Sequence, residues 1–179
     1  MSTRSMIFVK INKEDQGKTV APNKEMIYAK GLGFGDVDSS NAIPEEEIDK
    51  VPAVKLDDKY IGIYHHWDGY PEGVGDTLTR RFNTYEDALN LLLYGDESSI
   101  NSSVCIIPYI LRGCGYKKKE DTPPNLYNKI LSNLGETNWA EYVYLFKDGE
   151  WYFDTASYSK TKRYRWKKVK AYLESRRGE

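Results

Sequence analysis

The segment 141–154, with the sequence EYVYLFKDGEWYFD, constrains the fold more than any other part of the chain. Asp148 and Gly149 form the two-residue signature of a type I′ turn, which joins two antiparallel strands directly. The cross-strand pairs are then Lys147 with Glu150, Phe146 with Trp151, and Tyr144 with Phe153. One face of the predicted hairpin is therefore nearly all aromatic, and such a face is stable only when other elements cover it.

The rest of the chain predicts elements that can cover this sheet. Residues 3–11 carry apolar side chains on both faces of a strand, which indicates a central position. Thr84 begins a helix with a capping-box-like start, and Gly95 ends it. For a chain of 179 residues these patterns predict one α+β domain over 1–179, with helices packed on one face of an antiparallel sheet.

The remaining segments carry weaker signals. We predict an elaborated loop region over 12–58 and a basic helical tail over 158–179. The other predicted elements are a strand at 25–30, a helical turn after Pro44, a strand at 53–56 paired with 59–67, a short helix capped by Asp76, a loop at 96–104, an edge or irregular segment at 105–111, and helices at 124–135 and 160–176.

Composition excludes several classes of protein. The net charge is −1, the mean hydropathy is −0.68, and no apolar run approaches the roughly 18 residues that a membrane span requires. The N-terminal segment lacks the apolar core of a signal peptide. Cys105 and Cys114 have no CxxC partner and fit free thiols in a reducing compartment. We therefore expect a cytoplasmic protein with no cofactor, no metal ion and no membrane partner.

The near-zero net charge conceals two regions of opposite sign. The tail 158–179 carries +7 and the remainder carries −8. The basic residues of the tail are Lys160, Lys162, Arg163, Arg165, Lys167, Lys168, Lys170, Arg176 and Arg177. They are interleaved with aromatic residues, a combination that contacts phosphates and stacks on bases in nucleic-acid-binding proteins. The solvated face of an amphipathic helix has the same composition, and the sequence leaves both interpretations open.

The segment 65–76, HHWDGYPEGVGD, has the densest group of chemically active side chains. Its turn residues predict a sharp, rigid corner at the end of a strand. The candidate ligand-binding residues are His65, His66, Trp67, Asp68, Tyr70 and Glu72, together with Arg4 from the N-terminal strand.

The corner has a functional and a structural interpretation. His66 with Asp68 or Glu72 suits acid–base or metal chemistry. In the structural interpretation, which we favour, Trp67 and Tyr70 fill the core and Asp68 holds backbone amides, because a bend this sharp needs these residues in any case. The carboxylates do not follow EF-hand order, and adjacent histidines in a strand point to opposite faces, so the spacing does not predict a metal site.

Two stretches of the chain resemble a group of small uncharacterised proteins from phages, prophages and other mobile elements. The likeness rests on the opening T-R-S-x-I, on Y-x-G-I-Y-H-H-W-D-G-Y-P-E-G-V-G-D-T-L and the Leu-rich helix after it, and on the hairpin at 142–152, which is similar to Y-x-Y-x-F-x-x-G-x-W-Y. It covers about half of the chain and transfers no catalytic residue. The resemblance implies a genomic setting in which small proteins often antagonise host defence, anti-CRISPR inhibitors of Cas nucleases among them.

These observations lead to two main functional hypotheses, with a purely structural module as a third. The first is a non-enzymatic phage or mobile-element protein that binds and inhibits a host defence component, such as a Cas nuclease or its guide RNA, with the basic tail contacting RNA or DNA. The second is a small-molecule or nucleotide-binding protein, or a hydrolase, that uses Arg4 and the corner at one cleft. A cleft that joins Arg4 to His66 and Asp68 would favour the second, whereas a corner without a pocket beside an uncovered basic helix would favour the first.

Overall fold

The computed structural model describes residues 2–35, 43–100, 105–112 and 122–178. The strands are β1 (Ser5–Lys10), β2 (Thr19–Val20), β3 (Gly33–Phe34), β4 (Val54–Lys55), β5 (Tyr60–His65), β6 (Glu97–Ile100), β7 (Cys105–Pro108), β8 (Asn125–Tyr127), β9 (Tyr142–Lys147), β10 (Glu150–Thr155) and β11 (Lys167–Lys168). The helices are α1 (Lys24–Tyr28), α2 (Glu45–Ile48), α3 (Asp76–Arg81), α4 (Tyr85–Leu93), α5 (Tyr109–Arg112), α6 (Leu134–Thr137) and α7 (Val169–Arg177), with a 3₁₀ turn at Lys13–Asp15 and a π-helical turn at Pro71–Gly75.

One mixed sheet organises the molecule. Its strands run in the order β11-β10-β9-β1-β5-β6-β7-β3, and β8 pairs with the first half of β5. The α+β class is confirmed, but the prediction of an antiparallel sheet is wrong for three strand pairs, because β1 with β9, β5 with β6, and β3 with β7 are parallel. Long connections separate the members of each pair along the chain, and such connections permit parallel pairing.

Both faces of the sheet are buried. Ile7 and Val9 of β1 face the larger core, where α3, α4 and α7 cover the aromatic face of the β9–β10 hairpin. Met6 and Phe8 face a smaller core on the opposite side, which α6 and irregular chain close. The three longest helices therefore lie on one face, as predicted, while the other face is covered mainly by loops. None of the described helices is long and apolar enough to cross a membrane.

The two elements with the strongest local signals form as predicted. The hairpin has the predicted register, and Asp148 and Gly149 adopt φ angles of 51° and 80°, as a type I′ turn requires. At the start of α4, the Thr84 hydroxyl accepts the Asp87 N–H at 3.1 Å. The helical turn after Pro44 is also confirmed, as α2.

Three segments in the first two thirds of the chain form other secondary structure than predicted. Residues 25–30 were predicted as a strand, but α1 forms because the Asn23 side chain accepts the Glu25 N–H and caps a helix. The loop predicted at 96–104 contains β6, and its residues 101–104 lie outside the described ranges. The segment at 105–111 forms β7, paired on both sides, followed by α5, with Pro108 as the last residue of the strand.

The helix predicted at 124–135 is also wrong. Its first part is β8, and only α6 near its end is helical. Tyr127 packs edge-to-face on Phe8, with ring centroids 5.3 Å apart. Gly62 leaves the space for this contact, since a Cβ there would lie 2.6 Å from the Phe8 ring. Packing against the sheet thus overrides the helical spacing of the apolar residues.

Other predictions are wrong about how segments pair with, or pack against, the rest of the protein. Residues of 53–56 pair with β2 and not with 59–67. The region 12–58 is more than loop, because Ile27, Ile48 and Leu56 enter the larger core. α3 continues from the π-helical turn, so Asp76 is not its cap. In the tail, only α7 is helical, and the chain before it runs along the sheet edge as far as β11.

Candidate functional site

The corner after β5 is fixed by close backbone packing. Gly69 donates its N–H to the Thr3 carbonyl oxygen at 2.8 Å, and a Cβ at Gly69 would lie 2.9 Å from Ser5 Oγ. A Cβ at Gly73 would lie 2.4 Å from the carbonyl oxygen of Asp68, which itself has a φ of 57°. These approaches require glycine, so the two glycines have a structural explanation.

The aromatic residues of the corner do not fill the core. Trp67 and Tyr70 are 47% and 38% exposed, which contradicts the structural interpretation on this point. The buried Tyr144 anchors the corner instead, because its hydroxyl donates to the Gly69 carbonyl oxygen at 2.7 Å. Burial raises the pKa of Tyr144 well above its ordinary value, which keeps this donor protonated.

The acidic residues of the corner hold the C-terminal helix. The Tyr172 hydroxyl donates to Glu72 Oε1 at 3.3 Å, and Arg176 Nε lies 3.6 Å from the same oxygen. Arg177 Nη2 lies 3.1 Å from Asp76 Oδ1. These contacts assign Glu72 and Asp76 to the docking of α7.

The two histidines of the corner face opposite sides of the sheet, as predicted. His65 lies in a buried row with Ser5 of β1 and Glu97 of β6, and each of these residues is at most 1% exposed. Ser5 Oγ is 3.3 Å from His65 Nδ1, and His65 Nε2 has no hydrogen-bond partner within the described ranges. Burial lowers the pKa of His65 to about 3 and raises that of Glu97 well above its ordinary value. The row therefore holds neutral side chains that a ligand cannot reach.

A cleft of about 600 Å³ opens on the side of the smaller core. Its lining includes Arg4 and Met6 at the start of β1, Tyr64 and His66 at the end of β5, Asp96, Asn125 and Tyr127 of β8, and Thr137, Asn138 and Trp139 at the end of α6. Of the predicted candidates, Arg4 and His66 line this cleft, and His65, Trp67, Asp68, Tyr70 and Glu72 do not.

The pair Arg4 and Trp139 forms the rim of the cleft. The guanidinium carbon of Arg4 lies 5.5 Å from the centre of the Trp139 ring, within the range of a cation–π contact. Trp139 is 66% exposed and has a φ of 56°, a conformation that bulky side chains rarely adopt. An exposed indole is thus held beside an arginine that forms no ion pair with any described residue.

Hydrogen bonds make the opposite wall of the cleft rigid. The Tyr64 N–H donates to Asp96 Oδ1 at 2.8 Å, and the Tyr64 hydroxyl lies 2.7 Å from His66 Nδ1. The His66 ring meets the edge of Trp67, with centroids 4.9 Å apart.

A second cavity, of about 430 Å³, lies between α3, the hairpin turn and α7. Charged side chains of both signs line it, and Arg177 and Asp76 pair there. This cavity lies along the contact between α7 and the rest of the protein, and its charged side chains serve that contact, so it is not a candidate site.

The basic tail divides into a paired and an unpaired set. The paired residues contact acidic residues of the body: Lys162 with Asp154 at 3.5 Å, Lys168 with Glu150 at 3.1 Å, Arg176 with Glu72, and Arg177 with Asp76. The others are exposed and form no ion pair within the described part of the chain. We name this unpaired set the basic edge: Lys160, Arg163, Arg165, Lys167 and Lys170.

Inward side chains fix the direction of the basic edge. Tyr164 stacks on Trp166, with centroids 4.7 Å apart, in the smaller core, and its hydroxyl donates to the Leu131 carbonyl oxygen. Exposure alternates along 162–167, which turns Arg163, Arg165 and Lys167 outward. Alternate residues of an extended chain are about 6–7 Å apart, so these cations form a line.

The described residues offer no site for metal or thiol chemistry. No group of three His, Cys, Asp or Glu side chains there could hold a metal ion. The side chain of Cys105 is buried, and Cys114 lies outside the described ranges.

Comparison with protein-family models, with curated proteins and with solved structures finds no match. The resemblance to phage proteins therefore stays a prediction, and the candidate site is interpreted from its own geometry.

Trp139 and the asparagines of the cleft are not among the candidate residues predicted from the sequence. Asn125 and Asn138 belong to a segment predicted to be helical or left unassigned, and no motif marks them. The one available signal was a tryptophan three residues before the first hairpin strand, outside the aromatic alternation that the hairpin explains.

Proposed function

We propose that the protein binds a small organic molecule in the cleft, the second of the functions considered from the sequence. One observation carries this proposal: Trp139, exposed and in a left-handed conformation, lies against an unpaired Arg4 at the rim of the cleft.

The conformation of Trp139 supports a binding role. An exposed indole leaves apolar surface in water, and a positive φ adds backbone strain, so neither feature stabilises the free protein. A ligand ring that covers the indole would bury this surface. The left-handed residue ends α6, because the Ala140 N–H then reaches the Leu134 carbonyl oxygen. Glycine would end the helix in the same way without strain, so the choice of an exposed tryptophan at this position is not explained by folding.

The size and chemistry of the cleft also support a small ligand. Small-molecule sites occupy about 300–1,000 Å³ and combine aromatic walls with a few polar groups. The volume of about 600 Å³ falls within this range. Tyr64, Tyr127 and Trp139 supply the aromatic surface, and Arg4 and the asparagines supply the polar groups.

Thermal unfolding with a chemically diverse collection of metabolites tests the proposal. A ligand at 100 times its Kd stabilises a protein by about 2.7 kcal/mol, which raises the Tm of a domain of this size by about 5–10 °C. We expect at least one compound to do so, and Trp139→Ala and Arg4→Ala to lose the shift. Trp67→Ala is the matched control, because this tryptophan is exposed but does not line the cleft. A shift that survives Trp139→Ala, or no stabilising compound, would contradict the proposal.

The second candidate is the inhibitor of a host defence complex, such as a Cas nuclease with its guide RNA. The basic edge favours it, because a line of exposed cations complements a phosphate backbone. The paired half of the tail supports the same interpretation, since it fixes the position of the unpaired half on the body.

Fluorescence anisotropy with a single-stranded RNA at several salt concentrations tests the second candidate. Each lost phosphate contact lowers the slope of log K against log salt by about 0.7. Replacing Arg163, Arg165, Lys167 and Lys170 by alanine should therefore lower the slope by up to about 3. Replacing Lys10, Lys13, Lys50 and Lys59, exposed lysines elsewhere on the body, makes the same change in charge and should leave the slope unchanged. Equal effects of the two variants would contradict specific binding by the basic edge. In a reconstituted cleavage assay, only the first variant should lose inhibition of the nuclease.

A further inference from the structure

We infer that the ligand of the cleft is a planar aromatic ring that carries an anionic group, as a nucleoside 5′-monophosphate does. This inference rests on the proposed small-molecule function and specifies the chemistry that the same cleft recognises.

The aromatic part of the ligand follows from the side chains that can stack on it. The indole of Trp139 is largely exposed, and the rings of Tyr64, Tyr127 and His66 also line the cleft. Aromatic side chains stack on any nucleobase, because every base has a π-face. The cleft therefore offers more ring surface than an aliphatic or purely anionic ligand would use.

The anionic part follows from the charges that line the cleft. Arg4 is the one Lys or Arg side chain among the described lining residues, and its guanidinium makes no ion pair within the described chain. Guanidinium groups bind phosphate and carboxylate through paired N–H donors. Asp96 is the acidic residue of the lining, but it is only 6% exposed and accepts the Tyr64 N–H. Arg4 is therefore the charged side chain that a ligand in the cleft can contact directly.

The distance between these two groups limits the shape of the ligand. The cation–π contact holds the Arg4 guanidinium 5.5 Å from the centre of the Trp139 ring. The guanidinium lies over one face of the indole, so a small molecule that stacks on the other face reaches Arg4 past the edge of the ring. An anion attached close to the ring satisfies both contacts.

Two asparagines supply groups that can bind heteroatoms on the ring. Asn138 Oδ1 accepts the Thr137 hydroxyl at 2.8 Å, which leaves its NH₂ group as a donor toward the cleft. Asn125 also lines the cleft and is exposed. Carboxamides both donate and accept hydrogen bonds, which suits the alternating donors and acceptors of a base edge.

The backbone forms the site before a ligand arrives. Beyond Trp139, the Ala140 N–H donates to the Leu134 carbonyl oxygen at 3.2 Å, and the Glu141 N–H donates to the Arg4 carbonyl oxygen at 2.8 Å. The second bond ties the chain that carries the indole to the residue that carries the guanidinium. Preorganisation of this kind reduces the entropy lost on binding.

Isothermal titration calorimetry with three kinds of probe tests the inference. The probes are the four common nucleoside 5′-monophosphates, the matching nucleosides, and ribose 5-phosphate. We expect at least one monophosphate to bind at least about tenfold more tightly than its nucleoside and than ribose 5-phosphate, because only the monophosphate makes both contacts. Calorimetry measures the affinity of each probe directly, without unfolding the protein.

Substitutions at Arg4 and at Trp139 test separately the contact with the anionic group and the contact with the aromatic ring. Arg4→Gln should reduce monophosphate affinity to that of the nucleoside and leave nucleoside affinity unchanged, whereas Trp139→Ala should weaken both. Arg163→Gln and Trp67→Ala are the matched controls and should change neither. Unchanged Tm of the unliganded variants verifies that each folds.

The outcomes distinguish the inference from the proposed function. If no nucleotide binds, or if nucleoside and monophosphate bind equally, the aromatic anion is overturned as the ligand class. If a compound without a ring or without an anion then stabilises the protein through Trp139, the small-molecule function stands. If no compound does, both fail.

Discussion

His65 and Glu97, neighbours in a buried row, give the stability of the protein opposite dependences on pH. The unfolded chain ionises Glu97 above about pH 4.5, but the folded chain keeps it protonated, so stability falls as the pH rises above 4.5. The unfolded chain protonates His65 below pH 6.5, but the folded chain does not until about pH 3, so stability falls as the pH decreases from 6.5. The two effects cancel between pH 4.5 and 6.5, and above that range Glu97 acts alone.

Glu97→Gln isolates the contribution of this carboxyl group. The glutamine has nearly the same shape and cannot ionise, so the variant gains stability over the wild type as the pH rises. We expect the difference in free energy of unfolding to grow as the pH rises above about 4.5, by up to about 1.4 kcal/mol per pH unit, measured by chemical denaturation. Glu14→Gln, at an exposed glutamate, is the matched control, and the slope for Glu97→Gln should exceed its slope. A flat difference for Glu97→Gln would mean that the carboxyl group ionises in the folded protein.

A second residue-scale prediction concerns the corner. Gly73→Ala places a Cβ against the main chain of Asp68, which cannot rotate away as a side chain would. We expect a loss of about 1–3 kcal/mol of unfolding free energy, the usual effect of overpacking. Gly33→Ala is the control, because its Cβ meets nothing within 4 Å, and it should change stability by less than about 0.5 kcal/mol. Similar losses in both variants would contradict the close approach.

Among the elements, α7 is docked by two kinds of contact that differ in strength. Val169 and Leu173 are buried in the larger core, while Arg176 and Arg177 form exposed ion pairs with the corner and α3. Burial of apolar side chains contributes more than exposed ion pairs, which are screened by water and salt. The ion pairs therefore orient the helix, and the apolar residues hold it.

This difference predicts the effects of two substitutions. Leu173→Ala should cost about 2–5 kcal/mol of unfolding free energy, and Glu72→Gln should cost less than about 1 kcal/mol. Denaturation at low and high salt measures both, and only the small effect of Glu72→Gln should depend on salt. A larger loss from Glu72→Gln than from Leu173→Ala would contradict this account of the docking.

The elements that could be predicted are those whose signals are local. The Asp148–Gly149 turn and the Thr84 cap specify the hairpin and α4 within a few residues, and both form as predicted. The segment 124–135 has helical spacing, but Tyr127 packs on Phe8 of a distant strand, a contact that no local pattern reveals. The residues of the cleft show the same difference between local signals and contacts that only the fold creates. Arg4 and His66 were identified by motif, whereas Trp139 acquires its role only when the fold places it beside Arg4.

At the scale of the whole molecule, one face of the sheet provides most of the apolar packing and the other carries the cleft. The larger core, under α3, α4 and α7, buries the aromatic face of the hairpin and provides most of the apolar packing. The smaller core lies beneath loops, and the cleft opens on that side. The acidic body and basic tail are also not independent, because ion pairs fasten part of the tail and leave the basic edge exposed. Binding by the cleft and binding by the basic edge can therefore be altered separately.

The central claim is that the cleft beside Trp139 binds a small molecule, and the four tryptophans allow a direct test. Each indole N–H gives its own signal in a ¹H–¹⁵N NMR spectrum. Trp151 is buried and donates to the Phe82 carbonyl oxygen, and Trp166 is stacked on Tyr164, so neither should respond to a ligand in the cleft. During titration with the tightest-binding compound, we expect the Trp139 signal to shift until saturation while those of Trp151 and Trp166 stay in place. A compound that saturates the protein without moving the Trp139 signal would contradict the claim.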